Sequence, residues 1–173
     1  MAADRQRLTS ADRQEQPKTI DRQHLELEDL LAVGNHLSSL VILVVEDNPA
    51  DRYLIGASLN AEEPGCEIIV AEDGDAAVQY LAAQKPDLVI LDLNLPRRSG
   101  LEVLRYIRAE NRLEGLVVVI FSSSPKESVE RDAPQADAHI QKPFELDLFL
   151  QVGKQAMQCL RQNQERSSQL NAT

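Results

Sequence analysis

Five residues of this chain carry side chains that could act together: Glu46, Asp47, Asp92, Ser122 and Lys142. Each follows a short, mostly apolar run. "LVILVV" leads into the adjacent carboxylates Glu46 and Asp47, "LVIL" into Asp92, "LVVVIF" into Ser122, and "AHIQ" into Lys142. Gathered in one crevice they would supply three carboxylates, a hydroxyl and an ammonium. Carboxylates packed within a few ångströms repel one another, and the usual ways out are raised pKa values or a bound cation. Oxygen ligands with no His or Cys beside them suit magnesium or manganese better than zinc, and magnesium typically takes one or two carboxylates together with a phosphate oxygen. The set therefore expects a phosphoryl group, whose charge Lys142 would neutralise and whose oxygens the Ser122 hydroxyl would meet. Taken singly each residue has a plainer reading. An Asp after a strand is commonly a turn or cap residue, and a Lys before a Pro is commonly solvated. The chemistry rests on their convergence.

Convergence requires elements that place those ends together. Apolar runs of about five residues lie at 41–45, 67–71, 88–92, 116–121 and 138–141, with helical patterns between them. Three of the runs show no polar alternation, as expected of strands covered on both faces in a parallel sheet flanked by helices. Strand and helix alternate along the chain, which predicts an α/β, doubly wound five-stranded parallel sheet with five flanking helices. In that fold ligands sit beyond the carboxyl ends of strands, where the strand order reverses. Pro49 suits the first position of a helix reaching about Asn60. Asp75 is the expected cap of a second helix over 76–83, and Ser99 of a third over 100–110. Pro134 limits the fourth to about two turns. The last is expected from about Glu145 to beyond Leu160, followed by a polar tail over 164–173.

A chain of 173 residues fits one domain with tails, here over 40–163. Its net charge of -10, from 28 acidic and 18 basic residues, disfavours nucleic acid as main partner. No apolar run approaches the ~20 residues of a spanning helix, and the amino terminus lacks the apolar stretch of a signal peptide, so the chain reads as cytoplasmic, with no membrane contact. Cys66 and Cys159 form no CxxC pair and the histidines are scattered, which suggests neither a disulfide framework nor a zinc site. Residues 1–39 are polar and charged, and are read as a mostly disordered leader with at most one helix near 25–32. Its functional reading is a clip for a partner or for a second subunit in a homodimer.

"VVEDNPADR", "LVILDLNLPRRSGLEVL", "VVVIFSSS" and "AHIQKPFEL" together resemble the four motifs of the receiver domain of two-component response regulators, in order and over about 41–161. The resemblance implies a flavodoxin-like strand order 2-1-3-4-5. It implies that Asp92 accepts a phosphoryl group from a histidine of a sensor kinase or phosphotransfer protein, with the carboxylate as nucleophile. It implies Mg2+ held by Glu46, Asp47, Asp92 and the backbone carbonyl of Asn94, with Lys142 and Ser122 contacting the phosphate. Ser122 and His139 would then be the switch residues, the His139 ring filling space vacated by Ser122 so that a downstream protein target reads the altered surface. It further implies a cis Lys142–Pro143 bond. Glu46 stands where Asp is usual, and His139 where Tyr or Phe is usual.

Three function classes follow. The leading expectation is a stand-alone phosphorylation-dependent switch acting through protein contacts. The alternative is a receiver-like binding module that is never phosphorylated. An aspartyl phosphatase would want a second acid two residues after the nucleophile, where Asn94 stands. The chain is therefore not expected to be an enzyme beyond self-phosphorylation and slow hydrolysis. Arg97 and Arg98 are expected as solvated loop charges, with an acidic or phosphohistidine partner as the minority reading. Asn48 and Asp51 are expected as capping or solvated residues.

Overall fold

Five parallel strands, β1 (Val41–Val45), β2 (Glu67–Ala71), β3 (Leu88–Leu91), β4 (Val117–Ser122) and β5 (Ala138–Gln141), form one sheet in the order β2-β1-β3-β4-β5. They belong to a computed structural model that describes residues 40–170. The expected leader, 1–39, lies outside the described residues. The helices are α1 (Pro49–Glu62), α2 (Gly74–Ala83), α3 (Gly100–Ala109), α4 (Lys126–Asp132), α5 (Leu146–Phe149) and α6 (Val152–Leu170), with a 3-10 turn at Asn111–Leu113.

The unbroken apolar strands are explained by two cores, one on each face of the sheet. Leu43, Val45, Val89, Leu91, Val118 and Ile120 point to the face covered by α2, α3 and α4, where they meet Leu81, Val103, Leu104, Ile107 and Val129. Their strand neighbours Ile42, Val44, Leu88, Ile90, Val119 and Phe121 point to the other face, against Ile55, Leu59, Val152, Ala156, Met157 and Leu160 of α1 and α6. Burying an aliphatic side chain of this size is worth about 1.5–3 kcal/mol. A one-residue slip of β1 or β3 would leave both faces apolar. The register is therefore set by the parallel ladders, which align Val45 with Leu91 and Leu91 with Ile120.

Three boundaries differ from expectation. The cap of α2 is Asp73 rather than Asp75: Asp73 Oδ1 accepts from the Ala76 N–H at 2.8 Å, so the helix starts two residues earlier and Asp75 falls in its first turn. The segment expected as one carboxyl-terminal helix is divided into the one-turn α5 and the long α6. The division lies just before Gly153, whose N–H donates to the buried Ser58 Oγ of α1 at 3.0 Å. Helix α6 then continues to Leu170, into the segment expected as a polar tail. As expected, α4 is short, with the buried Val129 as its apolar anchor.

At Gly153 the α6 backbone lies close against the α1 backbone. A Cβ there would stand 2.3 Å from the Ser58 carbonyl oxygen and 2.8 Å from the Leu59 nitrogen, both main-chain atoms. Gly153→Ala must force the helices apart and should cost about 1–3 kcal/mol, the range for overpacked cores. The check is a lowered midpoint in urea unfolding at unchanged slope.

Candidate functional site

At the carboxyl end of the sheet, β1, β3 and β5 deliver Glu46, Asp92 and Lys142 to one point. The Lys142 Nζ donates to Glu46 Oε2 at 2.7 Å, to Asp92 Oδ2 at 2.8 Å and to Asp51 Oδ2 at 3.2 Å. Glu46 and Asp92 are 1% and 3% exposed, so their charges have been taken out of water, at several kcal/mol per ion before compensation. Lys142 also lies 5.2 Å from the centroid of the Phe121 ring, a weak further attraction for the ammonium. Asp47 is exposed, but one of its oxygens and one each of Glu46 and Asp92 lie within 4.8 Å of one another.

Local chemistry holds these side chains in place. After β1, Asn48 caps α1 by accepting from the Ala50 N–H at 2.9 Å, a contact worth about 1 kcal/mol, and Pro49 occupies the first helical position. Arg52, one turn on, donates to the carbonyls of Glu46 at 3.1 Å and Asp47 at 2.9 Å while pairing with Glu72 at 3.0 Å. It therefore clamps the loop that carries both acids. After β3, the Asn94 N–H donates to Asp92 Oδ1 at 3.0 Å, and Gly100 lets α3 start against the strand end: a Cβ there would stand 2.1 Å from the Asp92 carbonyl oxygen. Ser99 and Glu102 close a capping box on α3. Arg97, at a left-handed φ of 65°, pairs with the buried Asp73, and Arg98 pairs with Asp75 at 3.0 Å. Both remain in solvent, as expected of loop charges, with side chains 66% and 38% exposed, but each has a carboxylate partner. They tie the β3–α3 loop to the start of α2.

The electrostatics follow from counting. Glu46, Asp47, Asp51 and Asp92 face one ammonium, and the Arg52 guanidinium is committed to carbonyls and Glu72. Burial pushes the Glu46 carboxyl above its usual range; Lys142 pulls it down, and the nearby Asp92 charge pushes it up. Burial disfavours the Lys142 ammonium, but its bonds to Asp92 and Glu46 outweigh this and raise its pKa, keeping it charged. An excess of carboxylate oxygens, with no His or Cys among them, fits a hard divalent cation, for which Glu46, Asp47 and Asp92 are the ligands at hand.

The remaining expected site residues lie nearby in different roles. Ser122 is fully buried at the end of β4; its Oγ accepts from the Ser124 N–H at 3.2 Å and its carbonyl from the Lys142 N–H at 2.9 Å. His139 sits on β5 opposite Ile120, with its Nε2 buried and lacking a hydrogen-bond partner among the described residues. It lines a cavity of about 450 Å3 beside Val129 and Ala133 of the α4 region. The implied cis bond at Lys142–Pro143 is not present: no described peptide bond is cis. Trans is favoured for X–Pro by about 0.5–1 kcal/mol, and Lys142 reaches its three carboxylates from it. Asp51, expected to be capping or solvated, is instead an ion-pair partner of Lys142. The available signal was its place in the first helical turn, where side chains lean back toward the preceding strand end. A crevice of about 630 Å3 lies at the opposite end of the sheet. There Lys85 is bound to the Glu114 carbonyl, and Arg108 to two carbonyls and Asp137.

Comparison with known proteins agrees with this arrangement. The family model of the response regulator receiver domain matches residues 42–154. This chain belongs to the response regulator receiver family. It is similar to response regulator Rcp1 of Synechocystis sp., 38% identical over 94 residues, which are 50% of this chain and 64% of Rcp1. The match thus spans less than two thirds of Rcp1, and under half of the next curated relatives. The crystal structure of the phosphorylated cyanobacterial phytochrome response regulator RcpA superposes with a TM-score of 0.63 at 33% identity, covering 68% of this chain and 90% of that one. The Mn2+-bound form of Rcp1 gives 0.59 at 33% identity, over 66% and 89%. The receiver domain places the chain in two-component signalling, and no helix among the described residues is long and apolar enough to cross a membrane.

A carboxyl whose folded pKa lies above its unfolded value binds its proton more tightly in the fold. Its contribution to stability is present below the unfolded value and is lost as pH rises through the folded value. Metal-free protein should therefore lose stability through Glu46 as pH rises from 4.5, and Glu46→Gln should flatten that slope. Urea midpoints of the two proteins, measured in chelator across the window, make the check.

Proposed function

We propose that the receiver is a phosphorylation-dependent switch in the cytoplasm that takes a phosphoryl group onto Asp92 from a phosphohistidine of a sensor kinase or phosphotransfer protein. The observation that carries this is the contact of the β5 ammonium, Lys142, with a buried carboxylate at the end of β3, beside a set of oxygens suited to a divalent cation. RcpA in its phosphorylated form and Rcp1 with Mn2+ share the fold and support the reading.

An Asp92 carboxylate oxygen forms the new bond to phosphorus as the phosphorus–nitrogen bond breaks, its electron pair returning to the donor imidazole. Glu46, Asp47 and Asp92, with the Asn94 carbonyl, would hold Mg2+, which when bound offsets negative charge on the phosphoryl oxygens. Lys142 is already on Asp92 Oδ2 and turns to a phosphoryl oxygen. Ser122 gives its hydroxyl to another, leaving space that the His139 ring fills. Shifting a two-state balance from mostly off to mostly on needs about 5.5 kcal/mol. Charge-assisted hydrogen bonds at about 1.5–3 kcal/mol each put that within reach of Ser122 and Lys142 together. A downstream protein then reads the altered surface. Asn94 offers no acid to protonate a leaving alcohol, so turnover is confined to self-phosphorylation and slow loss of the phosphate.

Incubation with Mg2+ and acetyl phosphate should add one phosphate to the intact mass of the protein, and Asp92→Asn should abolish the gain. Absence of labelling with acetyl phosphate, carbamoyl phosphate and phosphoramidate alike would overturn the proposal in favour of a binding module that is never phosphorylated.

A further inference from the structure

The three N–H bonds of the Lys142 ammonium are divided among three carboxylates, and those carboxylates are not equivalent. Glu46 and Asp92 belong, with Asp47, to the group of oxygens within 4.8 Å of one another, whereas Asp51 does not. Asp51 projects from the first turn of α1, a rigid element, while Glu46 and Asp92 end strands. An ammonium and a divalent cation drawing on the same two carboxylates, Glu46 and Asp92, repel each other, since neither carboxylate can neutralise both. A cation entering that group therefore weakens two of the three Lys142 bonds. The third, to Asp51 at 3.2 Å, is untouched. Lys142 is 14% exposed and bordered by the Phe121 ring, so it has little room to move out into water.

We propose that Asp51 is a positioning residue, which retains the Lys142 ammonium at the edge of the crevice when a divalent cation occupies Glu46, Asp47 and Asp92. The inference rests on the reading that this crevice holds such a cation. Asp51 lowers the cost of entry by giving the displaced charge a partner, and it keeps Lys142 within reach of a phosphoryl oxygen on Asp92. A carboxylate in the first helical turn also favours its helix through the dipole. That role alone would affect helix stability and leave cation binding indifferent to Lys142.

The test is a double-mutant cycle on the full chain, with Mn2+ as the probe and free Mn2+ read by electron paramagnetic resonance. Asp51→Asn should weaken Mn2+ binding about tenfold when Lys142 is present, the scale of coupling between charged groups in contact. In a Lys142→Met background, with no ammonium to retain, the same change should weaken binding by markedly less than tenfold, because only the direct attraction of one carboxylate for the cation is lost. Lys142→Gln provides a second background should the Met variant not fold. Equal losses with and without Lys142 would make Asp51 a ligand or a simple negative charge, and no loss in either would leave it a helix-end residue; both overturn the proposal. Failure of the unaltered protein to bind Mn2+ would instead remove the cation reading itself, together with the role given to Asp51.

Discussion

Lys142 is the ion on which the rest of the crevice depends. Two carboxylates, Glu46 and Asp92, are almost wholly buried, and a third, Asp51, is largely so. A single ammonium compensates all three. Deleting one partner of such a group leaves uncompensated buried charge, typically at about 3–5 kcal/mol, which is why the carboxylate end of the sheet needs the lysine. The lysine does not neutralise the site, however. Four carboxylates against one ammonium leave a standing demand for positive charge, and that imbalance suits the crevice to a divalent ion.

Everything else in the upper half of the molecule keeps that imbalance in place. The parallel ladders bring the ends of β1, β3 and β5 to one level, because buried two-faced strands leave no polar residues except at their ends. The loops that follow are restrained by charges of their own. Arg52 holds the carbonyls of the acidic pair against Glu72, and Arg97 and Arg98 fasten the β3–α3 loop to Asp73 and Asp75. These arginines are committed to positioning and are not spare cations for the crevice. By contrast, the α4 side is loosely made. Val129 is the buried residue of a seven-residue helix, and His139, whose buried Nε2 has no hydrogen-bond partner among the described residues, lines a neighbouring cavity. A short helix with one buried residue is the kind of element from which a moving part is expected to come.

Much of this was legible in the residue order. Apolar runs without alternation signalled strands buried on both faces, and the polar residue after each run signalled the end at which the site lies. The capping of α3 by Ser99 and the shortness of α4 were visible because both depend on neighbours in sequence. The α2 cap was misplaced because Asp73 and Asp75 are chemically the same choice, and only backbone geometry selects which one reaches the Ala76 N–H. The division between α5 and α6 and the continuation to Leu170 escaped notice for a similar reason: the helical pattern of apolar residues does not show where one helix meets another at Gly153.

The sequence by itself determined the sheet, its order of strands through the family motifs, and the identity of Glu46, Asp47, Asp92, Ser122 and Lys142 as strand-end residues, since periodicity and residue type are local properties. Tertiary structure decided which of them touch. Lys142 meets Asp51 across 91 positions and Asp92 across 50, and Arg97 pairs with the buried Asp73. Such pairings depend on distances set by the packed sheet and helices, and on competition among several acids for one cation, neither of which a linear order of residues contains.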